Sequence, residues 1–186
     1  MKLVPSHIYH IYNQGNNRET IFKSREDYLH FLEKVRFFIK PISEILCYCL
    51  MPNHFHFMIM SNDASVENIS LGNIQTNKLS NAFRLLQSEY AQDYNKKNNR
   101  TGSLFRQKIK SIDLLERESL DAVLECFNYI HLNPSTANIV AFAKDWEFSS
   151  LKDYLKIRNG TLCNQNLAFD LLGIDINYIK EMALDF

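Results

Sequence analysis

Apolar residues along the first 112 positions repeat with a period of two in some stretches and near 3.6 in others. His7 to Asn13 is rich in Ile and Tyr and stops at Gln14-Gly15-Asn16-Asn17, which predicts a strand followed by a turn. Ser24, with Asp27 three residues on, opens a helix whose stripe is Tyr28, Phe31, Leu32, Val35, Phe38 and Ile39 before Pro41 closes it. Ile45 to Leu50 and His54 to Met60 are strand-like runs joined only by Met51-Pro52-Asn53, a spacing that imposes an antiparallel hairpin. Leu79, Ala82, Phe83, Leu86 and Tyr90 mark a second amphipathic helix, and Leu104 to Ile112 reads as a further strand.

Strand, helix, strand, strand, helix, strand is the split βαβ order. The expected class is therefore α+β: a ferredoxin-like βαββαβ antiparallel sheet with helices on one face and the other face left free for a site. Glu118 to Leu132 predicts a third helix, stopped by Pro134 because the residue before a proline is pushed out of the helical region. Ser149 to Arg158 and Leu167 to Leu184 predict short helices, interrupted at Gly160 and Gly173. Residues 1–155 are expected to form the main domain, and 156–186 a helical extension of it.

Length fits one core rather than two. No apolar run approaches the roughly 20 residues of a membrane span, and the N-terminus lacks a signal-peptide core, so a cytoplasmic protein is expected. Cys47, Cys49, Cys126 and Cys163 form neither a CxxC pair nor a disulfide framework and are expected to be reduced and mostly buried. Net charge is zero, but residues 1–112 carry 15 Lys+Arg against 9 Asp+Glu, and 113–186 carry 6 against 12. Between Tyr94 and Ile112 lie Lys96, Lys97, Arg100, Arg106, Lys108 and Lys110 with no acid. Such a patch can follow a phosphate backbone, although a lysine-guarded edge strand has the same composition.

His54 and His56 alternate with Phe55 and Phe57, so a strand sends both imidazoles to one face. Two adjacent imidazoles suit a metal, yet packed or surface histidines give the same pattern. On the third helix, at 100° per residue from Leu120, Val123, Leu124, Phe127 and Ile130 cluster on one side and Tyr129 falls about 180° away. Asn133 lies one turn beyond Tyr129 on the same face, and His131 falls on the apolar side as a packed histidine. An isolated polar-face tyrosine is ordinarily a surface residue.

Several separated segments together resemble one family, the single-tyrosine HUH transposases of insertion sequences, and within them the REP-associated tyrosine transposases. MPNHFHFMI (Met51 to Ile59) is similar to the family's His-hydrophobic-His strand, and NYIHLNP (Asn128 to Pro134) to its tyrosine helix. NQGNNRETIF (Asn13 to Phe22), GSLFRQKIKSI (Gly102 to Ile112) and WEFSSLKDY (Trp146 to Tyr154) match flanking segments in order and spacing. The resemblance spans roughly the first 155 residues. It implies a ferredoxin-like fold, a divalent cation (Mg or Mn) and a transient 5′-phosphotyrosine bond. It makes Tyr129 the nucleophile and His54 and His56 metal ligands. Asn133 becomes a third ligand, where relatives often have glutamine, or else only a helix C-cap.

The chemistry is consistent with that resemblance. A phenol with its usual pKa near about 10 is a weak nucleophile and needs a cation on the phosphate or a nearby base. On a strand after Gly102, Arg106, Lys108 and Lys110 would alternate onto one face at about 7 Å intervals, near the phosphate spacing of an extended single strand. Arg18, in the NNRET turn, is a further DNA contact by resemblance. The expected partner is single-stranded or hairpin DNA, handled by a monomer or homodimer, in a nucleoid-associated cytoplasmic setting. A DNA-binding protein that kept the fold without strand cleavage is the rival from a binding class. A two-histidine phosphoesterase would need two H-x-[ST] motifs, and the chain has a single H-x-H.

Overall fold

The computed structural model describes residues 1–116 and 120–184. In chain order the elements are β1 (Ile8–Gln14), α1 (Arg25–Phe38), β2 (Ser43–Met51), β3 (His54–Ser61), α2 (Asp63–Val66), β4 (Asn68–Leu71), β5 (Ile74–Asn77) and α3 (Lys78–Lys97). They continue with β6 (Lys110–Asp113), α4 (Leu120–Thr136), α5 (Leu151–Tyr154), α6 (Gln165–Leu172) and α7 (Ile176–Met182). The main sheet has the order β2-β3-β1-β6 with antiparallel neighbours throughout, which is the expected split βαβ arrangement.

Strand alternation builds two cores. Tyr9, Ile11, Phe55 and Phe57 face α1 and α3, meeting Phe31, Val35, Phe83 and Leu86. The backbone N–H of Ser24 donates to the Asp27 carboxylate, which fixes the start of α1 where the sequence placed it. On the opposite face Cys47, Cys49 and Met58 pack against Val123, Phe127 and Ile130 of α4, with Ala168 of α6 and Ile179 of α7 joining them. The second face is thus largely covered rather than free, and the uncovered part is the strip beside His54 and His56. The four cysteines are free thiols, three of them buried. No helix among the described residues is long and apolar enough to cross a membrane.

Two expectations need correction, and one element is additional. The strand expected over Leu104 to Ile112 begins only at Lys110, because Leu104 and Phe105 plug the first core and Phe105 makes a single bridge to Gly15 before the chain bends. Helix α4 runs through Pro134 to Thr136: a proline there forfeits one backbone bond, and the turn still closes with Ala137 N–H donating to Asn133 C=O. The expected start of this helix at Glu118 lies outside the described residues. A small hairpin, β4–β5, intervenes between β3 and α3. Its strands are mostly exposed, with Ile69 and Thr76 half-buried and only Asn77 buried, so no clear alternation in the sequence announces it.

His131, as expected, is packed: it is fully buried against Phe127 and Tyr154, with Nε2 at 2.8 Å from Ser150 Oγ. Burial lowers its pKa from 6.5 to about 3. Unfolded, the same imidazole takes up a proton near pH 6.5, so the unfolded chain binds more protons below that pH. The stability that His131 contributes is complete above pH 6.5 and declines as pH falls, by about 2 kcal/mol at pH 5. Urea unfolding at pH 7 and pH 5 should show this decline, and His131→Gln should flatten it.

Candidate active site

Helix α4 crosses the exposed strip of the second face and brings Tyr129 over the β3 histidines. Tyr129 is 50 % exposed and its ring stands edge-on to His56 and His10, with centroids 5.4 and 6.0 Å apart. The helical count placed it there correctly, since Phe127 and Ile130 on either side of it are fully buried. The sheet register sets His54 across from Gln14, and His56 across from Tyr12, which in turn faces Lys110 on β6. His56, Tyr12 and Lys110 therefore form one row across three strands, at about 4.8 Å per strand.

Each imidazole is held from its Nδ1 side. His56 Nδ1 lies 2.9 Å from His10 Nε2, and His54 Nδ1 lies 2.6 Å from Asn53 Oδ1. His56 Nε2 is buried with no partner among the described residues. Burial lowers the pKa of both histidines, against a small upward pull on His54 from its hydrogen bond with Asn133, and it lowers that of His10 to about 4. All three are neutral at neutral pH. Because Asn53 Oδ1 can only accept, His54 carries its proton on Nδ1 and its Nε2 is unprotonated, with the Asn133 side chain as its neighbour.

Asn133 is buried and its side chain reaches His54, so the structure brings Tyr129, His54, His56 and Asn133 together. It is an interior helical residue rather than a C-cap; Asn138, at φ 55°, takes the left-handed position just beyond the helix. Among the described residues no three His, Cys, Asp or Glu side chains converge as a metal cluster. A cation here would rest on two imidazoles and an amide oxygen.

A cleft of about 280 Å³ opens beside Tyr129, lined by Tyr12, Asn13, Gln14, His54 and His56 together with Arg106, Lys108 and Lys110. No carboxylate lines it. The three cations do not form a ladder along one strand, as the sequence suggested, but bends at Gln107 and Lys108 still deliver all of them to the same cleft. Asn13 fixes the segment by donating from Nδ2 to the Arg106 carbonyl at 3.0 Å. Arg18 is exposed and does not line the cleft; its carbonyl accepts from Asn53 Nδ2 at 3.3 Å, beside His54. His10 and Tyr12 are the site residues that sequence reasoning missed. Both share a β1 face by simple alternation, but only the pairing of β1 with β3 reveals that this face meets His54 and His56.

No family model and no curated protein matches the sequence. Among solved structures, a REP-associated tyrosine transposase bound to a REP hairpin matches with a TM-score of 0.58 and 14 % identity. The match covers 81 % of this chain and 79 % of that one. The two share a fold, as the resemblance of the separated sequence segments implied.

Proposed function

We propose that this protein is a DNA strand transferase that nicks single-stranded or hairpin DNA through a covalent bond to Tyr129 and then rejoins it. The observation that carries this reading is the position of an exposed phenol directly over a neutral histidine pair, in a cleft whose charged residues are all cations. The shared fold with a transposase bound to a DNA hairpin supports the same substrate class.

In the first step the Tyr129 oxygen attacks a backbone phosphorus and releases its proton to solvent. One P–O bond forms to the phenol and one breaks to the 3′ oxygen, which takes up a proton and leaves as a hydroxyl. The product is a 5′-phosphotyrosine that keeps the phosphodiester's energy, so attack by the same or another 3′-OH reverses the step without a nucleotide cofactor. Arg106, Lys108 and Lys110 hold the backbone and the α4 scaffold fixes the phenol.

His54, His56 and Asn133 would hold a divalent cation. The orphaned His56 Nε2 and the unprotonated His54 Nε2 beside Asn133 fit that role, and the absence of a Cys partner favours Mg²⁺ or Mn²⁺ over structural zinc. Bound there, the ion supplies positive charge against the phosphoryl oxygens. The direct test is a suicide oligonucleotide whose short 5′ fragment, ending in the freed 3′-OH, diffuses away after cleavage and leaves the 3′ fragment as a covalent protein-DNA adduct. A shifted band that appears with Mn²⁺ and disappears with excess EDTA is expected. Binding without an adduct would instead favour a protein that only binds DNA.

The cleft cations make a separate prediction. Arg106, Lys108 and Lys110 are exposed and release condensed counterions on meeting DNA. Affinity for single-stranded DNA should fall as salt rises, and replacing all three with glutamine should reduce the slope of log K against log salt by about 2. An unchanged slope would remove these residues from the DNA path.

A further inference from the structure

We infer that a second chamber adjoining the cleft is a nucleobase pocket, specific for guanine through Glu125, an inference that rests on the strand-transfer reading. The chamber has a volume of about 390 Å³ and shares Tyr12, His56 and Tyr129 with the basic cleft as a common wall. Its remaining walls have a different character. Ile112 and Leu114 from the β6 side and Ala122 and Cys126 from α4 are apolar, His10 adds a neutral ring from β1, and Glu125 is the one charged residue among them.

Charge divides the two chambers between the parts of a nucleotide. The basic cleft draws the phosphodiester, whereas a carboxylate repels it from the second chamber. What fits there is the uncharged, flat part of the nucleotide, which needs apolar walls and exposed rings. Tyr12 is half-buried and Tyr129 half-exposed, so both rings are available for stacking where the chambers meet. A nucleotide with its phosphate at Tyr129 can place its own or its neighbour's base in the second chamber without leaving the cleft.

Glu125 selects among the bases. It lies one helical turn before Tyr129 on the same face of α4, and it makes no hydrogen bond or ion pair with other described residues. A carboxylate offers two acceptors and no donor. Guanine alone has two adjacent donors on its Watson–Crick edge, N1–H and N2–H, and can satisfy both oxygens. Adenine and cytosine set a lone-pair nitrogen beside their amino group, and thymine flanks its N3–H with two carbonyl oxygens, so each meets the carboxylate with a repulsive neighbour.

The test uses the full chain and four fluorescein-labelled oligothymidylates that differ only in a central guanine, adenine, cytosine or thymine, with affinity read by anisotropy. The guanine oligonucleotide should bind about tenfold more tightly than the all-thymine one, the discrimination typical of a bidentate base contact. Glu125→Gln, whose one donor and one acceptor every base can match, should remove the guanine preference, and Glu125→Ala should flatten the ranking as well. Equal affinity of the unmodified protein for all four would overturn the pocket and leave strand transfer standing. A guanine preference that survives Glu125→Gln would overturn the role of Glu125. Failure to bind any of the four would instead remove the DNA reading beneath both.

Discussion

Tyr129→Phe is expected to abolish the covalent protein-DNA adduct while leaving fold and DNA affinity in place. The hydroxyl is the only atom removed, and it makes no hydrogen bond with other described residues. The phenylalanine ring retains the edge contacts with His56 and His10. Stability should therefore change by less than about 0.5 kcal/mol, as at other exposed positions. Cleavage should fall by roughly 10⁴-fold or more, because loss of a nucleophile has no comparable substitute.

Most other tyrosines cannot replace it. Tyr94, Tyr154 and Tyr90 are buried, with hydroxyls donating to the carbonyls of Thr20, Leu46 and Ile21, and the buried Tyr9 hydroxyl accepts from the Val4 backbone N–H. Tyr12 is the exception. It is half-buried, lines the cleft, and its ring lies 5.7 Å from that of His56. Tyr12→Phe should keep the adduct. Peptide mapping of any adduct that persists in Tyr129→Phe would find Tyr12 if the nucleophile has been misassigned.

The contrast between Tyr129 and Tyr12 shows what the sequence could carry. Tyr129 was legible because a helix's own periodicity says which side faces the core, and Phe127 and Ile130 fix that side. For a strand, alternation separates Tyr12 from Ile11 but does not say which face is covered, and that depends on where α4 lies. The same limit hid His10, whose meaning comes from a neighbour 46 residues away. The stripes of α1 and α3 and the β2–β3 hairpin were legible because each signal is local.

Local signals also misled where packing outweighed them. Phe105 and Ile109 are spaced as in a strand and both pack on the first core, yet the chain between them bends instead of pairing. The cations on the alternate positions reached the cleft without the ladder that was meant to place them. At Pro134 a single missing hydrogen bond was too small a cost to end a helix whose preceding turn is buried by Ile130, His131 and Leu132.

His54→Ala and His56→Ala are each expected to remove both Mn²⁺ binding and cleavage, with DNA binding retained. Manganese electron paramagnetic resonance reads the first effect without any turnover. His56→Ala also leaves His10 Nε2 buried without its partner, so it should cost about 1–3 kcal/mol of stability, while the less buried His54 should cost less. His10 supplies the more discriminating test. For His56 to present a lone pair from Nε2 its proton must sit on Nδ1 and be donated to His10 Nε2, so His10 would set the tautomer and the ring orientation. His10→Ala should then weaken Mn²⁺ binding by about 10- to 100-fold although His10 is not itself a ligand. His10→Gln, which can restore an acceptor, should recover much of the loss. Wild-type Mn²⁺ affinity in His10→Ala would show that His56 holds its orientation without this contact, and wild-type affinity in His54→Ala or His56→Ala would move the metal site elsewhere.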